Sequence, residues 1–342
     1  VDELRVETVL GPLRPDSMGI TLVHEHLVFG FPGWQGDCSV APPDWAAIRD
    51  RSVDLLRGLR SLGVATVIDV TPNDMGRNPR LLKEVSEEAG VHIVCCTGFY
   101  NQARGGAAYF TFRNTFGDAT EEIVELFMTE ITAGIEDTGI RPGVIKLASS
   151  KAAITDYERM FFKAAARAQK ETGIPIVTHT EEGTMGVEQA EFLQAEGADP
   201  AGVVIGHMGD SRDRSCVRNI LDRGFSIAFD RMGMQGRAGC LSDEERCARI
   251  VELIESGFEN QLMLSHDFIA NWLGRPVVFP EKLRLEMINW HPSHVLTNVV
   301  PALKDLGVSD ARIRTILIEN PRRLFGGSAP GHDRRPAFGE VR

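Results

Sequence analysis

Eight short apolar, β-branched runs, helix-periodic stretches with charged faces between them, and the regular alternation of the two predict an α/β fold. Alternation of this kind implies parallel strands, and eight of them close most naturally into a (β/α)8 TIM barrel. An open doubly wound sheet satisfies the same pattern and is the competing arrangement. At 342 residues the chain is long for an ordinary domain and normal for one large barrel. Residues 1–326 are therefore expected to form a single barrel unit, and 327–342 (GSAPGHDRRPAFGEVR from Gly327), rich in Gly, Pro and Arg, a flexible tail.

Residues 4–14 read as a short β-hairpin ahead of the barrel. Strands are predicted at 20–27 (ITLVHEHL), 65–71, 92–99, 143–149 (GVIKLAS), 174–180, 202–208, 225–231 and 262–268 (LMLSHDF). Helices are predicted at 44–62, 79–89, 119–136, 155–172, 184–196, 211–223, 242–257 and 293–319, the last split around Gly307. Ser242 with Glu245 makes a capping box, and Gly173 before Pro175 makes a helix stop.

Hydrophobic residues at 43% and charged residues at 25% are enough for a well-buried core. A net charge of −11 without a block of Lys and Arg leaves no electrostatic footprint for nucleic acid or an anionic membrane. A small neutral substrate fits better. No run reaches the roughly 18 apolar residues of a membrane span, and VDELRVETVL lacks the regions of a signal peptide, although a chain starting at Val leaves a removed leader open. The six cysteines (38, 95, 96, 216, 240, 247) show no framework spacing, so free thiols in a reducing cytoplasm are expected. Cys95 and Cys96, adjacent in a strand, must face opposite ways.

The stretch TLVHEHLVFG puts His24 and His26 on one face of an extended chain and Glu25 on the other. That spacing suits a metal pair, and equally a strand with a polar face. Catalytic side chains of such barrels come from the C-terminal strand ends. His24 and His26 end the first strand, Lys146 lies late in the fourth, His179 ends the fifth, His207 the sixth, and Asp267 the eighth. Singly, each has an ordinary explanation: a core or rim imidazole, a lysine paired with an acid, an aspartate cap. Their common placement overturns those explanations.

Imidazoles and a carboxylate suit divalent transition metals, and five or six donors exceed the three that one catalytic zinc typically keeps. Two ions are implied, and they need an anionic bridge. Lys146, among the apolar neighbours of GVIKLAS, would carry a desolvated ammonium; as a free amine it can take up carbon dioxide and supply that bridge as a carbamate.

The strings GPLRPDSMGITLVHEH, GVIKLAS, IVTHT, VVIGHMGDS, LSHD and ILIENPRRLF, in this order from about residue 5 to 326, resemble the phosphotriesterase family of the amidohydrolase superfamily, including its lactonase group. The resemblance implies a binuclear centre, with His24, His26 and Asp267 on the more buried ion and His179 and His207 on the exposed one. Carboxylated Lys146 and a hydroxide would bridge them, and Asp267 would accept the proton as the hydroxide attacks. Zinc is the expected ion, with Co, Mn or Fe also suited to these donors. A homodimer is expected from the resemblance alone.

Substrate class rests on the loops. Arg231 in AFDRMG and Tyr100 in TGFY are similar to lactonase-like members, where the tyrosine approaches the metals and the arginine lines the pocket; typical organophosphate-degrading members tend to carry histidine at the Arg231 position. A salt bridge from Arg231 to a neighbouring acid such as Asp230 is the alternative. The expected activity is opening of lactones or cleavage of carboxyl esters, with promiscuous phosphotriesterase activity. An organophosphate triester or amide-type xenobiotic substrate is the second reading, and a binding barrel that keeps its metals only as structural support is the third.

Other features rank lower. GMQGRAG (233–239) lacks the spacing of a phosphate-binding fingerprint and reads as a mobile pocket loop. His291 and His294 in NWHPSH mark a helix entrance with Ser293 as its cap, and His92 begins a strand at the wrong end for catalysis. The loops FGFPGW, with Trp34, and FIANWLGRPVVF can wall an acyl pocket, cover the barrel rim or make a dimer contact.

Overall fold

The computed structural model describes residues 5–236 and 239–326; the predicted tail lies outside them. Two short antiparallel strands, β1 (Val6–Thr8) and β2 (Gly11–Leu13), form the expected hairpin, with Val6 opposite Leu13. The main sheet is parallel throughout, with neighbours in the order β10-β9-β8-β7-β6-β5-β4-β3-β11. Its strands are β3 (Ile20–His26), β4 (Val64–Asp69), β5 (His92–Gly98), β6 (Val144–Ala148), β7 (Ile176–His179), β8 (Val203–Ile205), β9 (Ser226–Phe229), β10 (Leu262–Leu264) and β11 (Phe268–Ile269). Here the structure corrects the predicted eighth strand: 262–268 is not one run. β10 pairs with β9, the chain breaks over Ser265–Asp267, and β11 pairs with β3. The two pieces close the ring, which excludes the open doubly wound sheet.

Helices α1 (Trp45–Ser61), α2 (Pro79–Ala89), α4 (Thr120–Thr132), α5 (Asp156–Thr172), α6 (Gly186–Ala195), α7 (Arg214–Asp222) and α8 (Asp243–Glu255) fall where periodicity predicts them. The capping box of Ser242 and Glu245 is formed, Thr155 and Glu158 make a second one, and Gly173 ends α5 at φ 73°. Two short helices, α3 (Ala108–Arg113) and α9 (Glu281–Glu286), lie within loops and were not predicted. The last predicted helix is divided further, into a π turn at Val295–Val299, α10 (Val300–Asp305), α11 (Asp310–Arg314) and a π turn at Thr315–Glu319, and α12 (Asn320–Gly326), which was not predicted, continues beyond it. Each π turn precedes a proline, Pro301 or Pro321, whose ring would clash with the carbonyl four residues back in a regular helix. Ser293 does not cap this region; its hydroxyl meets the His291 ring, and no side chain caps the π turn.

Inside the ring, Val23, Ile68, Val94, Val177, Val204 and Met263 belong to one apolar cluster, closed below by Met18 and Phe325. Cys96 joins that interior, whereas Cys95 packs outward beneath the helices. Among the described residues no helix is long and apolar enough to cross a membrane.

The packed interior leaves the C-terminal strand ends as the place where polar side chains converge. At one of them Gly98 has φ 136°, and a Cβ there would stand 1.9 Å from the Lys146 carbonyl oxygen. Gly98→Ala is therefore expected to destabilise the fold by roughly 2 kcal/mol or more, read as a fall in Tm by calorimetry.

Candidate metal centre

Strand periodicity and closure of the ring bring the six predicted ligands together. His24 and His26 project from the end of β3 on one face, Lys146 from β6 and His179 from the last residue of β7. His207 follows β8 at φ 60°, and Asp267 stands in the break of the eighth strand at φ 53°. Both are left-handed conformations that a residue with a Cβ adopts only when its surroundings fix it. Lys146 Nζ is 2.9 Å from His24 Nε2, His207 Nε2 is 2.9 Å from His179 Nδ1, and His26 Nε2 is 3.1 Å from Asp267 Oδ1. Donor atoms of His24, His207 and Asp267 all lie within 4.8 Å of one another.

The outward ring nitrogens determine what the inward ones can do. Nδ1 of His24 and Nδ1 of His207 contact the two oxygens of Asp230, at 2.7 and 2.9 Å. Nδ1 of His26 lies 2.8 Å from Thr71 Oγ1, which donates its own proton to the Val28 carbonyl and so accepts from the ring. Nε2 of His179 lies 3.1 Å from Glu181 Oε2. Each outward nitrogen thus carries the proton, and each inward nitrogen presents a lone pair. Two such lone pairs face each other between His207 and His179, an arrangement that repels unless a cation lies near both. This donor set fits divalent metal ions held by neutral imidazoles whose outer nitrogens are hydrogen-bonded.

Electrostatics agree with that assignment. Burial lowers the pKa of His24 and His207, and lowers that of His179 to about 4, so the imidazoles are neutral near pH 7. Burial works against ionising Asp230, but the His207 and His24 rings hold its carboxyl below the usual range. Asp267 is also held well below the usual range: burial opposes its charge, and the positive field of its surroundings, in which Arg231 is the permanent cation, prevails. Glu181 is held at about 2, chiefly by its hydrogen bond with His179. For Lys146, 1% exposed, burial lowers the pKa to about 8.

The expectation for Arg231 is corrected in part. It does form a salt bridge, but with Asp267 (Nε to Oδ2, 3.0 Å) and not with Asp230, which is turned to the histidines. Its Nη1 is buried without a partner among the described residues. The Tyr100 hydroxyl lies 3.3 Å from His179 Nε2, and burial raises its pKa, which keeps the phenol neutral. Phe29 and Trp272 join the loops after β3 and β11, with Phe29 edge-on to His26 and Phe31 stacked on Trp272. Trp34 packs edge-on to Trp45. His294 contacts Asp243 at 2.9 Å, and His92 stays at the far end of the barrel. Residues 237 and 238 of the predicted pocket loop lie outside the described residues.

Sequence reading missed Asp230 as the partner of two histidines, and missed Thr71 and Glu181 altogether. Glu181 follows His179 by two positions, the one spacing that could have signalled a partner.

A family model described as the phosphotriesterase family matches residues 4–325. The chain belongs to the phosphotriesterase family. An organophosphorus hydrolase from Deinococcus radiodurans is 48% identical, with TM-score 0.93 over 95% of this chain and 97% of that one. A second solved structure, from work on engineering organophosphate hydrolysis into a weak promiscuous lactonase template, is 46% identical with TM-score 0.93 over 94% and 100% of the two chains. A phosphotriesterase homology protein from Mycobacterium tuberculosis is 32% identical over 94% of this chain and 97% of its own. Membership makes the chain a hydrolytic enzyme.

The Lys146 ammonium has a stability consequence. With a folded pKa of about 8 against an ordinary 10.5, the unfolded chain binds more protons between those values, so stability rises with pH across that window. The cost of burying the ammonium is complete below pH 8 and vanishes above 10.5. In metal-free, CO2-free protein, the stability advantage of Lys146→Met over wild type should shrink from pH 8 to 10.5 in denaturant titrations.

Proposed function

We propose that this enzyme is a binuclear metal-dependent hydrolase that opens lactones or cleaves carboxyl esters, with promiscuous activity on phosphotriesters. The observation that carries the metal reading is the set of four buried imidazoles whose outer nitrogens are all occupied and whose inner nitrogens converge with Lys146 and Asp267. His24, His26 and Asp267 would hold one ion, and His179 and His207 the other. The neutral Lys146 amine, adding to carbon dioxide with loss of one proton, would give a carbamate able to bridge both. Zinc suits these donors, as do Co, Mn and Fe. Such ions supply a Lewis acid for the reacting oxygen and water activation near neutral pH.

The chain's own groups do the rest. Asp230 and Thr71 hold the tautomers of the histidines they contact. Asp267, kept ionised beside Arg231, takes the proton that the attacking water gives up. Arg231 Nη1, with no acceptor among the described residues, is available to an oxygen of the substrate, and the neutral Tyr100 hydroxyl stands beside His179. The wall of Phe29, Phe31 and Trp272 suits an uncharged, apolar-tailed ester. The likeness to a weak promiscuous lactonase template supports lactones, and the 48% identity to an organophosphorus hydrolase supports phosphotriesters as the second reading. Free cysteines, among them buried Cys95 and Cys96, support a cytoplasmic setting, and a homodimer stays part of the proposal.

The deciding experiment compares kcat/KM across γ- and δ-lactones, acyl-homoserine lactones, aryl esters and an aryl phosphotriester on Zn-, Mn- and Co-loaded protein. A lead for lactones is expected, and a lead for the phosphotriester would transfer the proposal to the second reading. Lys146→Ala should bind metal weakly and lose activity, with partial recovery in added short carboxylates. Two tightly bound ions in that variant, measured by elemental analysis after dialysis, would rule out the carbamate bridge.

A further inference from the structure

The face of β3 opposite the histidines carries Glu25, a carboxylate only 3% exposed. Its Oε1 accepts hydrogen bonds from Ser265 Oγ at 2.8 Å, the His266 backbone N–H at 3.1 Å and His266 Nδ1 at 2.7 Å. Its Oε2 accepts from the Phe268 backbone N–H at 2.9 Å. A carboxylate offers about four lone-pair sites, and four donors meet this one, three of them at Oε1. All four donors come from Ser265–Phe268, the stretch that breaks the eighth strand. The same stretch is tied to β3 twice more: the His24 N–H donates to Ser265 Oγ, and the Asp267 N–H donates to the His24 carbonyl, each at 3.0 Å. His266 Nε2 accepts the Val295 N–H at 3.0 Å, which fixes the Nδ1–H tautomer turned to Glu25. Asp267, enclosed by these bonds, is the residue held at φ 53°.

We propose that Glu25 is the positioning residue for Asp267: by gathering the four donors of Ser265–Phe268 it fixes the left-handed turn that aims the Asp267 carboxylate at His24 and His26. Glu25 touches no reacting atom and acts through the turn. The alternation His24–Glu25–His26 then has a physical reason, with outer members facing the metals and the middle one holding the remaining ligand of the same ion. This inference rests on the proposed role of Asp267 as a metal ligand.

The test uses Glu25→Gln, which keeps side-chain size but sets an NH2 group against donors that need acceptors. Metal-free full-length protein is titrated with Co(II), following visible absorption and chelator competition, alongside circular dichroism and melting. The expected result is a native spectrum with one of two cobalt ions bound about 10–100-fold more weakly. The ligand-field bands should change as in Asp267→Asn, and the acidic limb of the pH–rate profile should shift. Ser265→Ala, which removes one donor, should weaken the same ion less. Loss of thermal stability with wild-type cobalt affinity and bands would overturn the proposal and leave Glu25 a structural residue only. Should Glu25→Gln not fold, folded Ser265→Ala with wild-type cobalt binding would overturn it instead. Asp267→Asn separates the two levels. Wild-type cobalt binding by that variant removes the ligand role of Asp267 and the proposal with it, whereas weakened binding there with normal binding in Glu25→Gln removes the proposal alone.

Discussion

The centre depends on where the protons of four buried imidazoles sit. Asp230, at the end of β9, accepts from His24 on β3 and His207 after β8, so one carboxylate sets two tautomers on different strands. Without it either ring could turn its N–H inward and lose the lone pair that faces the cavity. Asp230 also accepts the His207 backbone N–H at 2.9 Å, which ties ring and main chain to one anchor. A buried anion is costly unless hydrogen-bonded, and an acceptor of three N–H groups meets that condition. The ring of strands supplies the rigidity, since Asp230 directly follows β9 and His207 stands two residues beyond β8.

What the sequence makes legible follows from which interactions are periodic. Helices such as α2 and α5 and most strands repeat with fixed spacing, and the ligands fall at strand ends because the barrel puts them there. The break at Ser265–Asp267 left no such trace. LMLSHDF opens with an apolar run that passes for the start of one strand, and the bonds that hold its break come from Glu25 and His24, far away in sequence. Asp230 was visible as an acid beside Arg231, but its actual partners lie 206 and 23 residues away, beyond any local pattern. The π turns before Pro301 and Pro321 escaped a reading that split the last helix only around Gly307, because proline forbids the regular helix without dictating its replacement.

Substrate preference is less legible still, and Arg231 shows why. Its Nε is committed to Asp267 at 3.0 Å while its Nη1 has no partner among the described residues. One guanidinium therefore stabilises the ionised form of Asp267, the proposed proton acceptor, and presents a donor to the pocket. A residue of different shape at this position would alter the basicity of Asp267 together with the space and polarity available to substrate. Under the proposed function, discrimination between a lactone and a phosphotriester would not be a property of the loops alone, because part of it would pass through the charge balance of the proposed metal ligands. In the proposed reaction the strand ends would fix the chemistry as a class, and the arginine would couple the choice of substrate to the proton transfer to Asp267.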